Sequence, residues 1–318
     1  MQIGIMESKD FSSKAIEELQ KIGQVLCYKD KDLDDFLQSK EILFIRLKYY
    51  IDIDFLEKAK KLKYICTPTT GLNHIDLEVC KKKGIKVISL KNESSFLTTI
   101  RATPEHTFGL VLSLLRNYKT AFLNDDNQKW DRDKYKGYEL YGKTVGIIGL
   151  GRVGKILANY FKAFDSEILF YDIDEMVTSS VARKKDSIEK LIDKSDIIIL
   201  SASYFPQNHQ FFHKDYIDLL KDKYFINTAR GELVDEKYLI SKIKDNYFKG
   251  IAIDVIQNET HKDNILNELL RLTFKRNLIV TPHIGGATYE SMWKTEEFIV
   301  KKLINQNQLC YNNQTYGV

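Results

Sequence analysis

Lys143-Thr-Val-Gly-Ile-Ile-Gly-Leu-Gly-Arg-Val-Gly-Lys-Ile-Leu-Ala-Asn-Tyr-Phe161, followed by Ile168-Leu-Phe-Tyr-Asp172, is the stretch on which the reading of this chain turns. An apolar run, Val145 to Ile148, reads as a buried strand. Three glycines follow, then an amphipathic helix, a second apolar strand and a carboxylate. Each part answers a physical need. Gly149 permits a tight turn, Gly151 lets the backbone approach a pyrophosphate, and Gly154 allows close packing of helix on strand. The helix N-terminus, which carries Arg152 and Val153, presents free N–H groups to phosphates. Asp172 lies 18 residues beyond Gly154, where an acid hydrogen-bonds a ribose 2′-hydroxyl. Its charge would repel a 2′-phosphate, so the expected cofactor is NAD, not NADP. A mononucleotide P-loop also fits Gly149-x-x-x-x-Gly154-Lys155, but that motif needs a Ser or Thr next to hold Mg²⁺. Residue 156 is Ile, and the P-loop reading loses its metal ligand.

The chain has 318 residues, room for about two domains. Its net charge of +4 comes from 48 basic and 44 acidic residues that are interspersed, which argues against a nucleic-acid partner. The densest basic run, Lys81-Lys-Lys83, ends an expected helix, where cations favour the helix dipole. No apolar run is long enough to span a membrane, and Met1 to Met6 reads as a strand, unlike a signal peptide. The four cysteines, Cys27, Cys66, Cys80 and Cys310, are widely spaced. They suggest reduced thiols in a cytoplasmic protein and no metal site.

Strands and helices alternate along most of the chain. Strands are expected at 3–6, 25–28, 42–47, 62–67 and 85–90, with helices between them at 11–22, 33–38, 51–59 and 75–83. An apolar helix over 104–116 should be buried. Residues 124–138 read as a polar loop, with Trp130 in a core or an interface. After Asp172 come strands at 196–200, 224–227, 248–255 and 278–280, and helices at 187–194, 214–220 and 235–244; a helix over 291–305 closes the chain. This pattern implies an α/β protein with two doubly wound parallel-sheet domains. The expected boundaries give one domain of residues 1–101 plus 288–318 and another of residues 102–287.

Three polar residues follow strands of the second domain, where ligands bind in open α/β sheets. Arg230 follows Phe225-Ile-Asn-Thr-Ala229, Glu259 follows Ile251-Ala-Ile-Asp-Val255, and His283 follows Leu278-Ile-Val-Thr-Pro282. A guanidinium, a carboxylate and an imidazole suffice to move hydride on a hydroxy acid. Arg230 would hold a carboxylate bidentately and polarise the adjacent carbonyl. His283 would be general acid or base for the hydroxyl proton, and Glu259 would favour its imidazolium form. Spacing alone does not bring the three together.

Asn227-Thr-Ala-Arg-Gly231, Asp254, Glu259 and Thr281-Pro-His-Ile-Gly-Gly-Ala-Thr288 resemble the signature of the D-isomer-specific 2-hydroxyacid dehydrogenases. Thr69-Thr-Gly-Leu-Asn-His-Ile-Asp76 is similar to that family's substrate loop, and Thr103-Pro-Glu-His-Thr107 to the start of its interdomain helix. The resemblance implies a Rossmann NAD-binding domain, a flavodoxin-like substrate domain that contains both chain ends, and usually a homodimer. It implies Arg230 as substrate anchor, His283 as acid/base with Glu259 as its partner, backbone amides of Thr70 and Gly71 on the substrate carboxylate, and Asp254 at the nicotinamide carboxamide. Thr228 and Gly286, inside the matching motifs, complete the candidate cofactor-binding set of Gly149, Gly151, Arg152, Val153, Gly154, Asp172 and Asp254.

Departures fall on the substrate loop and the cofactor rim. Thr69, Asn73 and His74 replace a Gly and an Asp-Asn, Ser201-Ala-Ser203 stands where a His or Val and a Pro are frequent, and Thr260 replaces a Pro. Arg46, at the end of an expected strand, is placed either to hold a second anionic group such as a phosphate or to be solvated. His74 is a candidate substrate contact, His106 a packed helix residue, and His209, His213 and His261 solvated loop residues. The expected reaction interconverts a D-2-hydroxy acid and its 2-keto acid with NAD. The alternatives are a phosphorylated or sugar-derived substrate resembling 3-phosphoglycerate, and a non-catalytic NAD-sensing regulator.

Overall fold

The structure, a computed structural model, describes residues 1–123, 130–259 and 264–315. Its chain divides into two compact units, residues 1–100 with 287–318, and residues 101–286. Each is a parallel sheet covered by helices on both faces, an α/β architecture.

The first unit's sheet has strands β1 (Gln2–Ile5), β2 (Gln24–Cys27), β3 (Ile42–Phe44), β4 (Tyr64–Cys66) and β5 (Lys86–Ile88) in the order β2-β1-β3-β4-β5. Successive side chains alternate between faces, so each strand feeds two cores. Ile3, Ile5, Ile42 and Phe44 enter one, and Leu43, Ile45 and Ile65 the other. The closing helix, Tyr289–Thr315, joins the first of these through Ile299, Val300 and Leu303. Burying such aliphatic side chains is worth roughly 2 kcal/mol each, which is why the chain's end returns to its beginning. Phe298 stacks on Phe96 at 4.0 Å between ring centroids.

In the second unit β6 (Thr144–Ile148), β7 (Glu167–Tyr171), β8 (Arg183–Lys184), β9 (Ile197–Leu200), β10 (Tyr224–Asn227), β11 (Gly250–Ile253) and β12 (Leu278–Val280) form a sheet ordered β12-β11-β10-β9-β6-β7-β8. Val145, Ile147, Ile197 and Ile199 fill one core, and Ile148, Leu169, Ile198 and Leu200 the other. Unbroken apolar runs such as Ile197-Ile-Ile-Leu200 reflect burial on both faces. Helix Ala102–Leu115 packs Leu110, Val111, Leu114 and Leu115 into the first of these cores, beside Leu157 and Phe161 of helix Arg152–Ala163.

Several expectations change. Trp130 is 96% exposed and belongs to no core within the chain. Short helices at Ser94–Leu97 and Tyr118–Phe122, the two-residue edge strand β8, and helix Leu266–Thr273 were not expected. Thr260, His261 and part of the 124–138 loop lie outside the described residues, as does the side chain of Cys310. Among the described residues no helix is long and apolar enough to cross a membrane.

Candidate active site

The second sheet reverses its strand order between β6 and β9, and an open α/β sheet holds its ligand at such a switch point, beyond the carboxyl ends of the strands. The glycine turn lies there. Gly149 has φ +93°, and a Cβ on it would sit 2.7 Å from Cα of Ala202, just past β9. A Cβ on Gly154 would sit 2.5 Å from the carbonyl oxygen of Gly149. Gly151 differs, because a Cβ there would meet nothing within 4 Å. Its missing side chain therefore opens space and relieves no clash, directly at the N-terminus of helix Arg152–Ala163. Gly151 caps that helix without a side chain, so the first-turn N–H groups receive no side-chain cap. The Leu150 N–H donates to Asp172 Oδ2 at 2.7 Å, and the Asp174 N–H to Oδ1 at 3.0 Å. The acid after β7 is thus tied directly to the turn after β6. Arg152 is half-buried, and burial together with the nearby Arg101 cation lowers its pKa. Val153 packs against the core below. An anionic dinucleotide fits these residues.

The chemistry-bearing groups lie along the same sheet edge. Arg230 follows β10 in a turn closed by Asn227, whose Oδ1 accepts from the Ala229 N–H and whose side-chain amide donates to the Arg230 carbonyl, both at 3.0 Å. The Arg230 guanidinium donates to the Ala229 carbonyl at 2.7 Å. Burial lowers its pKa, while the charges of Glu232, Glu259 and Asp254 act in the opposite direction. His283 Nδ1 lies 2.7 Å from Glu259 Oε2, with side-chain exposures of 21% and 32%. The pair is assembled within the protein yet open to a ligand. With Nδ1 engaged, Nε2 is the ring atom left to exchange a proton.

His283 has φ +52°; among the described residues the other non-glycine residues with positive φ are Asp, Asn or Gln. Such a conformation persists only where its surroundings enforce it. Asp254 supplies that enforcement. It is 2% exposed, and its backbone carbonyl accepts from the His283 N–H at 2.8 Å. Its carboxylate accepts from the Thr281 hydroxyl at 2.6 Å and from the Ile284 and Gly285 N–H groups at 2.9 Å. His106 Nε2 stands 3.3 Å from Oδ1 and 3.2 Å from the Thr281 hydroxyl. Burial pushes the Asp254 carboxyl upward, but His106 and these donors prevail and hold it below the usual range.

Thr228 spends its hydroxyl on the Thr107 hydroxyl, 2.7 Å away. Gly286 has no atom within 4 Å of where a Cβ would be. In the first unit, Thr70 is exposed and Gly71 half-buried, on a loop braced by the Thr69 hydroxyl donating to the Gly71 carbonyl at 2.9 Å. Arg46 is neither solvated nor turned to an anionic ligand: it pairs with the fully buried Glu296, Nε lying 3.0 Å from Oε1, and donates to the Lys9 carbonyl at 3.1 Å. His74, a candidate substrate contact, is buried at 7% exposure. Sequence reasoning missed the placement of His106 and Thr281 around Asp254, and also Glu236, whose carboxylate receives the Gln257 N–H at 2.7 Å. Only its place five residues after the Arg230-Gly231 turn hinted at it.

Residues 108–285 match the family model described as the D-isomer specific 2-hydroxyacid dehydrogenase, NAD binding domain. The chain belongs to the D-isomer-specific 2-hydroxyacid dehydrogenase family. It is 33% identical to D-3-phosphoglycerate dehydrogenase of Methanocaldococcus jannaschii over 91% of this chain and 54% of that protein. It is 30% identical to glyoxylate reductase of Pyrococcus furiosus over 94% of this chain and 87% of that protein. This family member therefore spans about half the length of the first relative and most of the second. A crystal structure of D-lactate dehydrogenase from Aquifex aeolicus, complexed with NAD and lactic acid, superposes with a TM-score of 0.81 at 28% identity, covering 96% of this chain and 95% of that one. The second unit is thus the NAD-binding Rossmann domain of the family.

Proposed function

We propose that the protein is an NAD-dependent dehydrogenase that interconverts a D-2-hydroxy acid and its 2-keto acid. The observation that carries this reading is the His283–Glu259 contact at 2.7 Å, with Arg230 in electrostatic reach of the same carboxylate. The Gly149–Gly154 turn and Asp172 would hold NAD, which supplies the hydride when bound as NADH. Arg230 anchors the substrate carboxylate and polarises the adjacent C2 carbonyl. His283 in its imidazolium form gives the Nε2 proton to the forming hydroxyl oxygen, and in the oxidative direction takes it back. Glu259 at Nδ1 fixes the orientation of the ring. Asp254 holds the His283 loop and would meet the nicotinamide carboxamide. Thr70 and Gly71 would offer their amides to the substrate carboxylate. The homodimer implied by the resemblance and the cytoplasmic location suggested by the cysteines are part of the same proposal.

The test is NADH oxidation over a panel of 2-keto acids that includes phosphorylated ones. Turnover of at least one, lowered about 1000-fold by His283→Ala with NADH binding intact, is the expected result. No turnover on any panel member, with NADH bound, would favour the NAD-sensing regulator. Preference for a phosphorylated acid would favour the substrate class named by the Methanocaldococcus relative. Because Arg46 is engaged by Glu296, such a preference would have to rest on another cation.

A further inference from the structure

The loop that carries Glu259 is clipped to the segment following Arg230 at three points. The Gln257 N–H donates to Glu236 Oε1 at 2.7 Å, and the Gln257 side-chain amide donates to the Val234 carbonyl at 2.8 Å. Between these, Gly231 lies so close beneath the loop that a Cβ would come within 2.1 Å of the Ile256 carbonyl carbon and 2.3 Å of the Gln257 nitrogen. Glu236 opens helix Glu236–Lys244 and is 7% exposed. A neutral acceptor of the same shape would still accept that amide, but more weakly than a carboxylate does. The charges that face it are Glu232, from the turn Gly231–Leu233, and Glu259 itself. Arg230, immediately before that turn, is the cation in reach of Glu232, Glu259 and Asp254.

We propose, on the function argued above, that Glu236 is a positioning residue of the reaction: its carboxylate grips the Gln257 amide and so holds Glu259 against His283, and its protonation loosens that grip. Burial pushes the Glu236 carboxyl up to about 7; the Gln257 amide opposes the shift, and Glu232 and Glu259 add to it. The grip therefore changes within the range where the enzyme would operate. An ionised carboxylate accepts a shorter and stronger hydrogen bond than a neutral acid. Above neutrality Glu259 is held in place; below it, the loop is tied by Gln257 to Val234 and by packing on Gly231.

Glu236→Gln tests this, because the amide keeps the shape of the protonated acid without the titration. In NADH-dependent reduction of the best keto acid, wild type and E236Q should have the same kcat below about pH 6 and diverge above it. E236Q should fall about fivefold short at about pH 8 with KM for NADH unchanged. Superimposable kcat profiles would overturn the proposal. A second readout needs neither turnover nor a substitution. The Gln257 amide proton of the unaltered chain should move downfield as pH rises through about 7, as its acceptor becomes charged. An amide resonance flat across that range would overturn the proposal even if the chain turned over keto acids normally. Conversely, a moving amide in a chain that reduces no keto acid would uphold the Glu236 grip while refuting the function on which its catalytic meaning rests.

Discussion

The molecule contains two sheets of the same kind, and each reverses its strand order once. In the second unit the reversal between β6 and β9 opens onto glycine, and around Gly151 the space beyond the backbone is empty out to 4 Å. In the first unit the reversal falls between β1 and β3, and there the corresponding place is filled. Glu7, just past β1, accepts the N–H groups of Arg46 and Lys48, both at 2.9 Å, just past β3. The Arg46 side chain turns to Glu296 on the closing helix. Topology creates such a place in both sheets, and the side chains at the strand ends decide whether it is left open or filled. Fold alone therefore does not locate function.

Breaking the sealed end should have the largest effect on stability. Arg46→Ala leaves Glu296, which is 0% exposed and whose pKa burial already raises, without its counter-ion. Removal of one partner of a buried pair costs about 4 kcal/mol, which urea denaturation would measure. A loss below about 1 kcal/mol would show that the pair is not what closes this crevice. The converse experiment puts a carboxylate into the open end. Gly151→Asp meets no clash, and its backbone φ of −71° suits any residue. The fold should persist while NADH affinity falls about 100-fold, near 3 kcal/mol by fluorescence titration. Unchanged affinity would move the phosphates elsewhere.

A third contrast concerns a buried acid proposed above to position, not to seal. Glu236 has its pKa raised from 4.5 to about 7 in the folded chain. A raised pKa means that the folded state binds the proton more tightly, so the stability it contributes is complete below about 4.5 and lost as pH rises towards 7. E236Q should accordingly gain on the wild type through that window, by up to about 3 kcal/mol, and hold the advantage above it. Thermal denaturation at several pH values would show the gain, and a constant difference would contradict the burial argument. The smallest effect is expected at the cofactor rim: Asp172→Ala should weaken NADH relative to NADPH by about tenfold, because it removes the charge that repels a 2′-phosphate. NADPH preferred by the unaltered chain would overturn the cofactor choice.

The parts legible from sequence were those with a strong local signal. The strands at 224–227 and 278–280 and the helix at 33–38 agree with the structure residue for residue, because apolar runs and capping acids such as Asp32 mark them. Helix Leu266–Thr273 and the short helix Ser94–Leu97 escaped, the first although Leu266, Leu269, Leu270 and Leu272 carry helical spacing and the second being one turn long. Trp130 was read as belonging to a core or an interface; no patterned element surrounds it, and at 96% exposure it is in no core of the described residues. Arg46 shows the same limit for a site. Its partner Glu296 lies 250 positions away on a helix whose docking no local pattern announces.

What the amino-acid sequence determined by itself is the alternation that makes two parallel sheets, the glycine turn with its acid, and the identity of the candidate reactive groups. These rest on local physics: side-chain period, backbone freedom at glycine, and the kind of charge a residue carries. Tertiary structure decided which of those groups lie together. Glu259 and His283, 24 residues apart, meet because β11 and β12 are neighbours in the sheet. Asp254 holds the His283 loop, and Glu236 reaches the loop of Glu259, because neighbouring strands carry their following turns to the same edge. No spacing rule contains that information, since hydrogen-bond geometry among distant segments exists only once the sheet has been assembled.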